Sequence, residues 1–256
     1  MRCGIIEIEN LSVTKTVCGV LKQVNQEESD TEKAAQDGLS ASSSTRRIHV
    51  CLNHVSHRFG GRTVFDNLSA SISSGQTGII TGSNGSGKST LLRIIAGLLE
   101  ADSGDVTFET DGSYLDTQMR RHMIGMVAPD LTLYKELTGA ENLTFFASLK
   151  GIKADRAMLV EALTEVGLRG RGRDLVGGYS SGMRQRLKYA FALLGRPKVL
   201  LLDEPTANLD SDGMAMVERI VRCHQARTDG ALAIVATNEP RETSWGEPLI
   251  HLERGE

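Results

Sequence analysis

The sequence contains few of the residues that characterise several large classes of protein. Its 256 residues include four cysteines, and aromatic residues make up 4% of the chain. Lys and Arg together number 29 against 32 Asp and Glu, which leaves a formal charge of -3. Because no global basic field is present to attract a phosphate backbone, we expect no nucleic-acid partner.

Long apolar runs are also missing. A membrane-spanning helix needs about 20 mostly apolar residues, whereas the most apolar stretches, residues 199–202 and 231–236, are far shorter. The four cysteines form no C-x-x-C pair, which favours free thiols in a reducing compartment. We therefore expect a chain that does not itself cross a bilayer and that stays in the cytoplasm.

The first 47 residues differ in composition from the rest. From about Lys22 to Arg47 the chain has no aromatic residue and is dense in Gln, Glu, Ser, Asp and Thr, a composition that cannot offset the entropy cost of ordering. Residues Ile6 to Val13 alternate like a short strand, which we interpret as an extended tail. We predict a disordered leader over residues 1–47 and one globular domain over residues 48–256.

The remaining residues predict an α/β domain. Short β-like runs from Ile48 onwards, with turn signals at Gly60-Gly61 and Ser74-Gly75, indicate a small antiparallel sheet. The continuous apolar run Val199 to Leu202 is typical of a parallel strand buried on both faces. Helical periodicity appears at about residues 88–99, 140–149 and 155–166 and again after residue 181. Strands that alternate with helices imply a parallel sheet.

The strongest motif is a glycine-rich loop between a predicted strand and a predicted helix. It satisfies the phosphate-loop pattern G-x-x-x-x-G-K-[ST], and with the next residue it comprises Gly82, Ser83, Asn84, Gly85, Ser86, Gly87, Lys88, Ser89 and Thr90. Glycines let backbone N–H groups converge on phosphate oxygens, and the helix directs its positive end at the same anion. The motif predicts that Lys88 reaches the β- and γ-phosphates and that Ser89 is a ligand of Mg²⁺. An ordinary glycine-rich turn is the alternative.

An acidic pair follows the buried apolar run. Asp203 emerges at the carboxyl end of a predicted strand, where ligands bind in open α/β sheets, and is placed to hold Mg²⁺ through water. Glu204 stands next to it and is a candidate general base that polarises an attacking water. A helix cap is the alternative explanation of this pair.

A third motif resembles one family of ATPases. Residues 179–186 (YSSGMRQR) resemble the L-S-G-G-Q signature of ABC ATPases, and their spacing from the phosphate loop and from Asp203 fits that family. Residues 207–210 resemble its D-loop, and Phe59 stands where an aromatic residue stacks on adenine. The resemblance covers about residues 48–251. The residues that match the centre of the signature are Ser180, Ser181 and Gly182.

The resemblance implies an ATP-binding, ATP-hydrolysing subunit that powers transport through a separate integral membrane subunit, from the cytoplasmic face of the cell membrane. It implies ATP and Mg²⁺ as cofactors and a P-loop core with an antiparallel β subdomain and a short helical subdomain over about residues 129–182. It also implies a head-to-tail dimer, formed with itself or with a second ABC ATPase. Ser180 and Gly182 would contact the γ-phosphate bound by the partner, although a helix cap alone also explains Ser180.

Two residues depart from the family pattern. Pro129 stands where a glutamine usually contacts Mg²⁺ and water, and its side chain neither donates nor accepts. Asn238 occupies the position of the usual switch histidine and still offers an amide donor. We therefore count Asn238 with Glu204 among the candidate catalytic residues.

Two narrower questions stay open in the sequence. Residues 90–104 (TLLRIIAGLLEADSG) resemble the ATPase of haem exporters used in cytochrome c maturation, but such stretches occur across many ABC exporters. The alternative function is a soluble ABC ATPase that acts as a nucleotide-gated clamp or a cluster-assembly factor. Because the sequence shows neither a second ATPase domain nor a long coiled coil, we favour the transport motor.

Overall fold

An antiparallel sheet forms the amino-terminal part of the described structure, a computed structural model that describes residues 47–227 and 229–253. Its strands are β1 (Ile48–Phe59), β2 (Arg62–Ser73), β4 (Ser103–Thr110) and β5 (Ser113–Tyr114), in the order β2-β1-β4-β5. Gly60 and Gly61 both have positive φ and close the hairpin between β1 and β2. This sheet confirms the antiparallel prediction.

A parallel sheet forms the second layer. Its strands are β3 (Thr77–Gly82), β6 (Ile124–Val127), β7 (Val199–Asp203), β8 (Leu232–Ala236) and β9 (Glu247–Leu252), in the order β6-β7-β8-β3-β9. Asp203 pairs with Ala236, and Ala236 pairs with Ile80. Because every pairing is parallel, the carboxyl ends of β3, β7 and β8 meet at one edge of the sheet. This edge brings together segments that are far apart in the chain.

The side chains of β7 explain its continuous apolar run. Leu200 and Leu202 belong to a core cluster that also contains Leu187, whereas Val199 and Leu201 belong to a second cluster that contains Leu91. Successive side chains of a strand point to opposite faces, so β7 is buried on both sides. The prediction of a doubly covered parallel strand is confirmed.

Of the helices that the structure describes, four lie where the sequence predicted them, with small shifts at their ends, and three further helices were not predicted. In chain order the helices are α1 (Lys88–Ile95), α2 (Thr117–Met123), α3 (Gly139–Leu149), α4 (Arg156–Glu165), α5 (Ser181–Leu193), α6 (Ser211–Gln225) and α7 (Pro240–Thr243). Those that were not predicted are α2, α6 and α7. Helix α1 ends earlier than the expected residue 99, because Gly97 adopts a left-handed φ of 69°, a common helix terminator. Leu98 beyond it is exposed.

The region of the predicted helical subdomain contains α3, α4 and a short 3₁₀ helix, Val176–Gly178. Thr138 and Glu141 form a capping box that begins α3, and the carboxyl group of Asp155 caps α4. The limits of this subdomain stay a prediction. The predicted leader lies outside the described residues apart from Arg47.

The described helices are short. None of those within residues 47–227 and 229–253 combines the length and the apolarity that a transmembrane helix requires.

Candidate nucleotide-binding and catalytic site

The glycine-rich loop connects β3 to α1 through backbone shapes that exclude larger residues. Gly82 has a φ of 145°, and a Cβ there would clash with the carbonyl oxygen of Leu252. Gly87 has a φ of 101°, and a Cβ there would clash with Val64. Glycine is therefore required at both ends of the loop. The Ser86 hydroxyl inside it is buried, with no hydrogen-bond partner among the residues that the structure describes.

Lys88 is buried at the start of α1, and its ammonium group points back across the loop. Its Nζ donates to the carbonyl oxygen of Gly82 at 2.8 Å and to Oδ1 of Asn238 at 2.8 Å. The Oε1 atom of Glu204 lies 3.5 Å away. A buried ammonium group needs such partners. These oxygens occupy the positions around Nζ at which the oxygens of a bound anion could be accepted.

Asp203 ends β7 as a buried carboxylate. One of its oxygens, Oδ1, has no hydrogen-bond partner in the described part of the chain, and the Ser89 hydroxyl lies close enough to the carboxyl group to favour its charged form. Burial raises the pKa of Asp203, which the Ser89 contact and the nearby positive charges of Arg93 and Lys88 oppose. The structure thus brings the two predicted metal ligands together.

Glu204 follows in a strained backbone position. Its φ is 47°, a left-handed value that is uncommon for residues with a side chain, and its N–H donates to the carbonyl oxygen of Ala236 at 2.9 Å. Burial raises the pKa of Glu204, while the charge and hydrogen bond of Lys88 lower it in part. The carboxylate is half-buried and lines the same cleft as Lys88.

Asn238 joins the site from the loop after β8. Its amide oxygen accepts from Lys88, and its amide nitrogen donates to the side-chain oxygen of Asn84 in the phosphate loop. The sequence predicted an amide donor at this position, and both ends of the amide are engaged. Asn238 thus links β8 to the loop that precedes α1.

The cleft beside the phosphate loop has a volume of about 410 Å³. Phe59 lies at its rim, 54% exposed, with its ring edge-on to His57 at a centroid distance of 4.6 Å. Three lining residues at the start of β2, Arg62, Thr63 and Val64, were not predicted from the sequence. They follow Phe59 across the hairpin turn at Gly60 and Gly61, and this position could have indicated that they lie near the same cleft. The lining residues are Phe59, Arg62, Thr63, Val64, Asn84, Gly85, Gly87, Lys88, Ser89, Thr90 and Glu204.

The signature residues do not line this cleft. Ser180 is exposed, and its hydroxyl accepts the N–H of Met183 at 3.1 Å as the N-cap of α5. Ser181 lines a different groove, together with Asn208 and Lys188. The nearest atoms to a Cβ built at Gly182 would be 3.8 Å away, so its surface is open. The capping role of Ser180 is confirmed, and one chain alone does not bring the signature to the phosphate loop.

The loop with Pro129 is held by its backbone. Lys188 of α5 donates from Nζ to the carbonyl oxygens of Pro129 at 2.8 Å and Ala128 at 3.2 Å. Arg93 of α1 forms an ion pair with Asp130 at 2.7 Å. Pro129 therefore contributes a main-chain acceptor where the family pattern has a glutamine side chain.

These features define a class of protein before any comparison. In the parallel sheet, a phosphate loop follows β3 and an acidic pair ends β7. Only β8 separates these two strands, and both features lie at the same edge of the sheet. P-loop proteins bind and hydrolyse a nucleoside triphosphate with the same set of groups: a glycine-rich loop, a buried lysine, the hydroxyl group that follows it and an acidic pair. The class is a P-loop ATPase.

The sequence of residues 65–207 matches the ABC transporter family. The chain is 38% identical over 202 residues to the uncharacterized ABC transporter ATP-binding protein YdbJ of Bacillus subtilis, a match that takes in 78% of this chain and 64% of that protein. It is 36% identical over 196 residues to the cytochrome c biogenesis ATP-binding export protein CcmA of Photobacterium profundum, over 70% of this chain and 87% of that protein.

Two further comparisons agree with this match. The chain is 32% identical over 214 residues to the putative hemin import ATP-binding protein HrtA of Staphylococcus haemolyticus, over 80% of this chain and 96% of that protein. A solved dimeric, post-hydrolysis structure of the ATP-binding cassette MJ0796, bound to ADP and Pi, matches with a TM-score of 0.70 and 28% identity. That match covers 80% of this chain and 96% of the other.

The chain therefore belongs to the ABC transporter family. It is an ATP-binding and ATP-hydrolysing subunit of the kind that powers transport through a membrane-spanning partner. The resemblance deduced from the motifs is confirmed, and the transport subunit is favoured over the soluble clamp. Relatives with different names match at similar identity, so the narrower haem-exporter resemblance stays a prediction.

Proposed function

We propose that this subunit hydrolyses ATP at two composite sites of a head-to-tail dimer, and that closure of these sites drives a separate integral membrane subunit from the cytoplasmic face. One observation carries this proposal: Lys88 and Glu204 share a cleft, whereas Ser180 lies exposed outside it. Because phosphoryl transfer depends on positioning and electrostatics, a site completed by a second chain makes hydrolysis conditional on closure.

The donor set at the end of β7 fits Mg²⁺. This hard cation takes oxygen ligands, and Asp203 has a buried carboxylate oxygen without a hydrogen-bond partner within residues 47–227 and 229–253. We assign Ser89 as a direct ligand and Asp203 as a ligand through water. When bound, the ion neutralises charge that develops on the phosphate oxygens.

The remaining residues divide into binding and chemistry. The backbone N–H groups from Gly85 to Thr90 face the phosphates at the start of α1, and Lys88 exchanges its present oxygen partners for the β- and γ-phosphates. Phe59 stacks on adenine at the rim of the cleft. Glu204 orients and deprotonates the attacking water, because a carboxylate within one water's reach serves as a general base.

Mixed dimers test the composite site. A Lys88→Ala chain has a defective phosphate loop and a Ser180→Arg chain has a defective signature, so each chain alone is expected to be inactive. In a head-to-tail heterodimer both defects fall in one site and the other site is intact. A random mixture should therefore recover about one quarter of the wild-type ATPase rate, since half of the dimers carry one good site of two.

The same mixture provides the contradicting result. A mixture that forms heterodimers but stays inactive would show that each chain must use its own signature, and the composite site would be wrong. The membrane partner is tested separately: the full chain, purified from membranes in mild detergent, should retain one polytopic membrane protein in a fixed ratio.

A further inference from the structure

Glu242 is a buried acidic residue that the proposed chemistry does not use. It lies in α7, is 2% exposed, and its Oε2 atom has no hydrogen-bond partner among the residues that the structure describes. Leaving one oxygen of a buried carboxylate unpaired costs free energy, and buried polar atoms without partners are rare in native structures. Its surroundings therefore need an explanation.

The other oxygen of Glu242 holds the turn that follows the acidic pair. Its Oε1 atom accepts the N–H of Thr206 at 3.2 Å and also the Thr206 hydroxyl. Thr206 lies two residues after Glu204, in a turn closed by the Ala207 N–H, which donates to the Glu204 carbonyl oxygen at 3.1 Å. Because Glu204 has a left-handed φ of 47°, its orientation depends on the groups that hold this turn.

Helix α5 holds the same turn from the other side. The hydroxyl of the fully buried Tyr189 donates to the carbonyl oxygen of Pro205 at 2.7 Å. The turn is thus fixed between α5, which begins at the signature, and α7, which follows Asn238. Its contacts therefore come from the helix that carries the signature at its start and from the helix that follows Asn238.

We propose that Glu242 is a positioning residue that, by anchoring Thr206, aims the Glu204 carboxylate at the attacking water. The inference rests on the proposed role of Glu204. Glu242 lies four residues after Asn238 on a continuous segment, but its side chain bonds to Thr206, whereas Asn238 itself contacts Lys88.

The position of the anchor determines which step it affects. The described hydrogen bonds of the Glu242 side chain join α7 to Thr206, and they involve no residue of the phosphate loop. Loss of the anchor should therefore misplace the general base while leaving the loop that binds ATP intact. Misplacement of a reacting group lowers the rate of the chemical step without an equal loss of substrate binding.

The experiment uses the full chain with Mg²⁺ and ATP and compares Glu242→Ala with Glu242→Gln. Glu242→Ala should slow single-turnover hydrolysis by about tenfold or more, with the dissociation constant of ATP within about twofold of wild type. Glu242→Gln keeps an oxygen acceptor for Thr206 and should recover most of the rate. Fluorescence of Trp245, the single tryptophan, reports local packing because its backbone N–H donates to the Glu242 carbonyl oxygen at 3.1 Å.

A second pair decides the matter if Glu242→Ala does not fold. Thr206→Val removes the hydroxyl donor at nearly constant volume, and Thr206→Ser keeps it, so the Ser variant should hydrolyse ATP several-fold faster than the Val variant. Equal rates for that pair would overturn the inference. A folded Glu242→Ala chain with a wild-type rate, or with ATP affinity reduced as much as the rate, would do the same.

Glu204→Gln in the same assay distinguishes a failure of the general-base role of Glu204 from a failure of the positioning role of Glu242. Fast hydrolysis by that variant would overturn the general-base assignment. Slow hydrolysis by Glu204→Gln together with wild-type hydrolysis by Glu242→Ala would overturn the positioning role alone.

Discussion

At the scale of single residues, Lys88 holds contacts that a phosphate group would replace. Its ammonium group donates to the carbonyl oxygens of Gly82 and Ser83 and to the amide oxygen of Asn238, and lies near Glu204. A triphosphate offers the same group charged oxygens, and charge-assisted hydrogen bonds are stronger than those to neutral acceptors. Binding therefore exchanges partners without leaving the buried ammonium unpaired.

Replacement of Lys88 by alanine should weaken ATP binding. The variant loses a charge-assisted contact worth about 2 kcal/mol, which corresponds to roughly a thirtyfold higher dissociation constant. Exposed Lys153 provides the matched control, and Lys153→Ala should bind ATP like wild type. An unchanged dissociation constant for Lys88→Ala in an equilibrium binding assay would show that the phosphate loop does not bind ATP as proposed.

The sequence was sufficient for residues within motifs and insufficient for contacts between them. Gly82, Lys88 and Asp203 follow from local patterns whose chemistry requires those residue types. The amide contact of Asn238 with Asn84 joins residues 154 positions apart, and Glu242 meets Thr206 across 36 positions. Such contacts depend on which strands become neighbours, so no local pattern announces them.

At the scale of elements, Ser180 has a structural role that can be separated from its proposed catalytic role. It caps α5 through the N–H of Met183, and loss of an N-cap costs about 1 kcal/mol. Ser180→Ala should therefore lower both the melting temperature and the ATPase rate. Ser180→Asp keeps the cap but places a negative charge where the partner's γ-phosphate is proposed to lie, so it should melt near wild type and hydrolyse ATP poorly. Normal hydrolysis by Ser180→Asp would limit Ser180 to capping.

A buried histidine of α6 that contacts β8 predicts a pH dependence of stability. His224 is 3% exposed, its Nε2 lies 3.1 Å from the carbonyl oxygen of Leu232, and burial, with help from Arg227, lowers its pKa from 6.5 to about 4. Between pH 6.5 and about 4, His224 is protonated in the unfolded chain but neutral in the folded chain. The free energy of unfolding that the neutral, buried His224 contributes therefore falls as the pH falls towards 4.

Melting curves test this dependence. Over that pH range the melting temperature of His224→Gln should fall less steeply than that of wild type, because the buried titrating group is gone. His122 is exposed, and His122→Gln should keep the wild-type slope. Equal slopes for all three proteins would assign the acid sensitivity to other groups.

The elements themselves were largely predictable from apolar patterns. The doubly buried β7 and the helices after residues 138, 155 and 180 follow from apolar periodicity. The structure shows a capping side chain before each of these helices, of which only that of Ser180 was considered from the sequence. The end of α1 was placed too late because Leu98 and Leu99 continued the apolar pattern, although Gly97 is a recognisable stop signal.

At the scale of the whole molecule, the leader predicted from composition should contribute little to stability. Residues 22–45 are predominantly polar and the apolar runs before them are short, and a segment that buries little apolar surface adds little free energy of unfolding. Deletion of residues 2–45 should leave the melting temperature nearly unchanged. A fall of many degrees, absent from a shorter deletion that ends at Leu21, would show that residues 22–45 are needed by the fold.

The order of the parallel sheet could not be read from the sequence. The motifs predicted a phosphate loop after one strand and an acidic pair at the carboxyl end of another, whereas the structure shows that β8 lies between these two strands, β3 and β7. That order delivers Asn238 to the phosphate loop and brings Glu242 to the turn after β7. The proposed assembly that completes the site involves a second chain, so its contacts cannot be read from the sequence of one chain.

Single-turnover hydrolysis by Glu204→Gln tests whether Glu204 is the general base. The variant keeps the shape and hydrogen bonding of the side chain and loses the basic carboxylate, so it should bind ATP, accumulate closed dimers and hydrolyse ATP slower by roughly a hundredfold or more. Asn238→Ala should cost less, since the amide neither carries charge nor shuttles a proton. If Asn238→Ala abolishes turnover while Glu204→Gln stays near wild type, the general-base assignment is wrong.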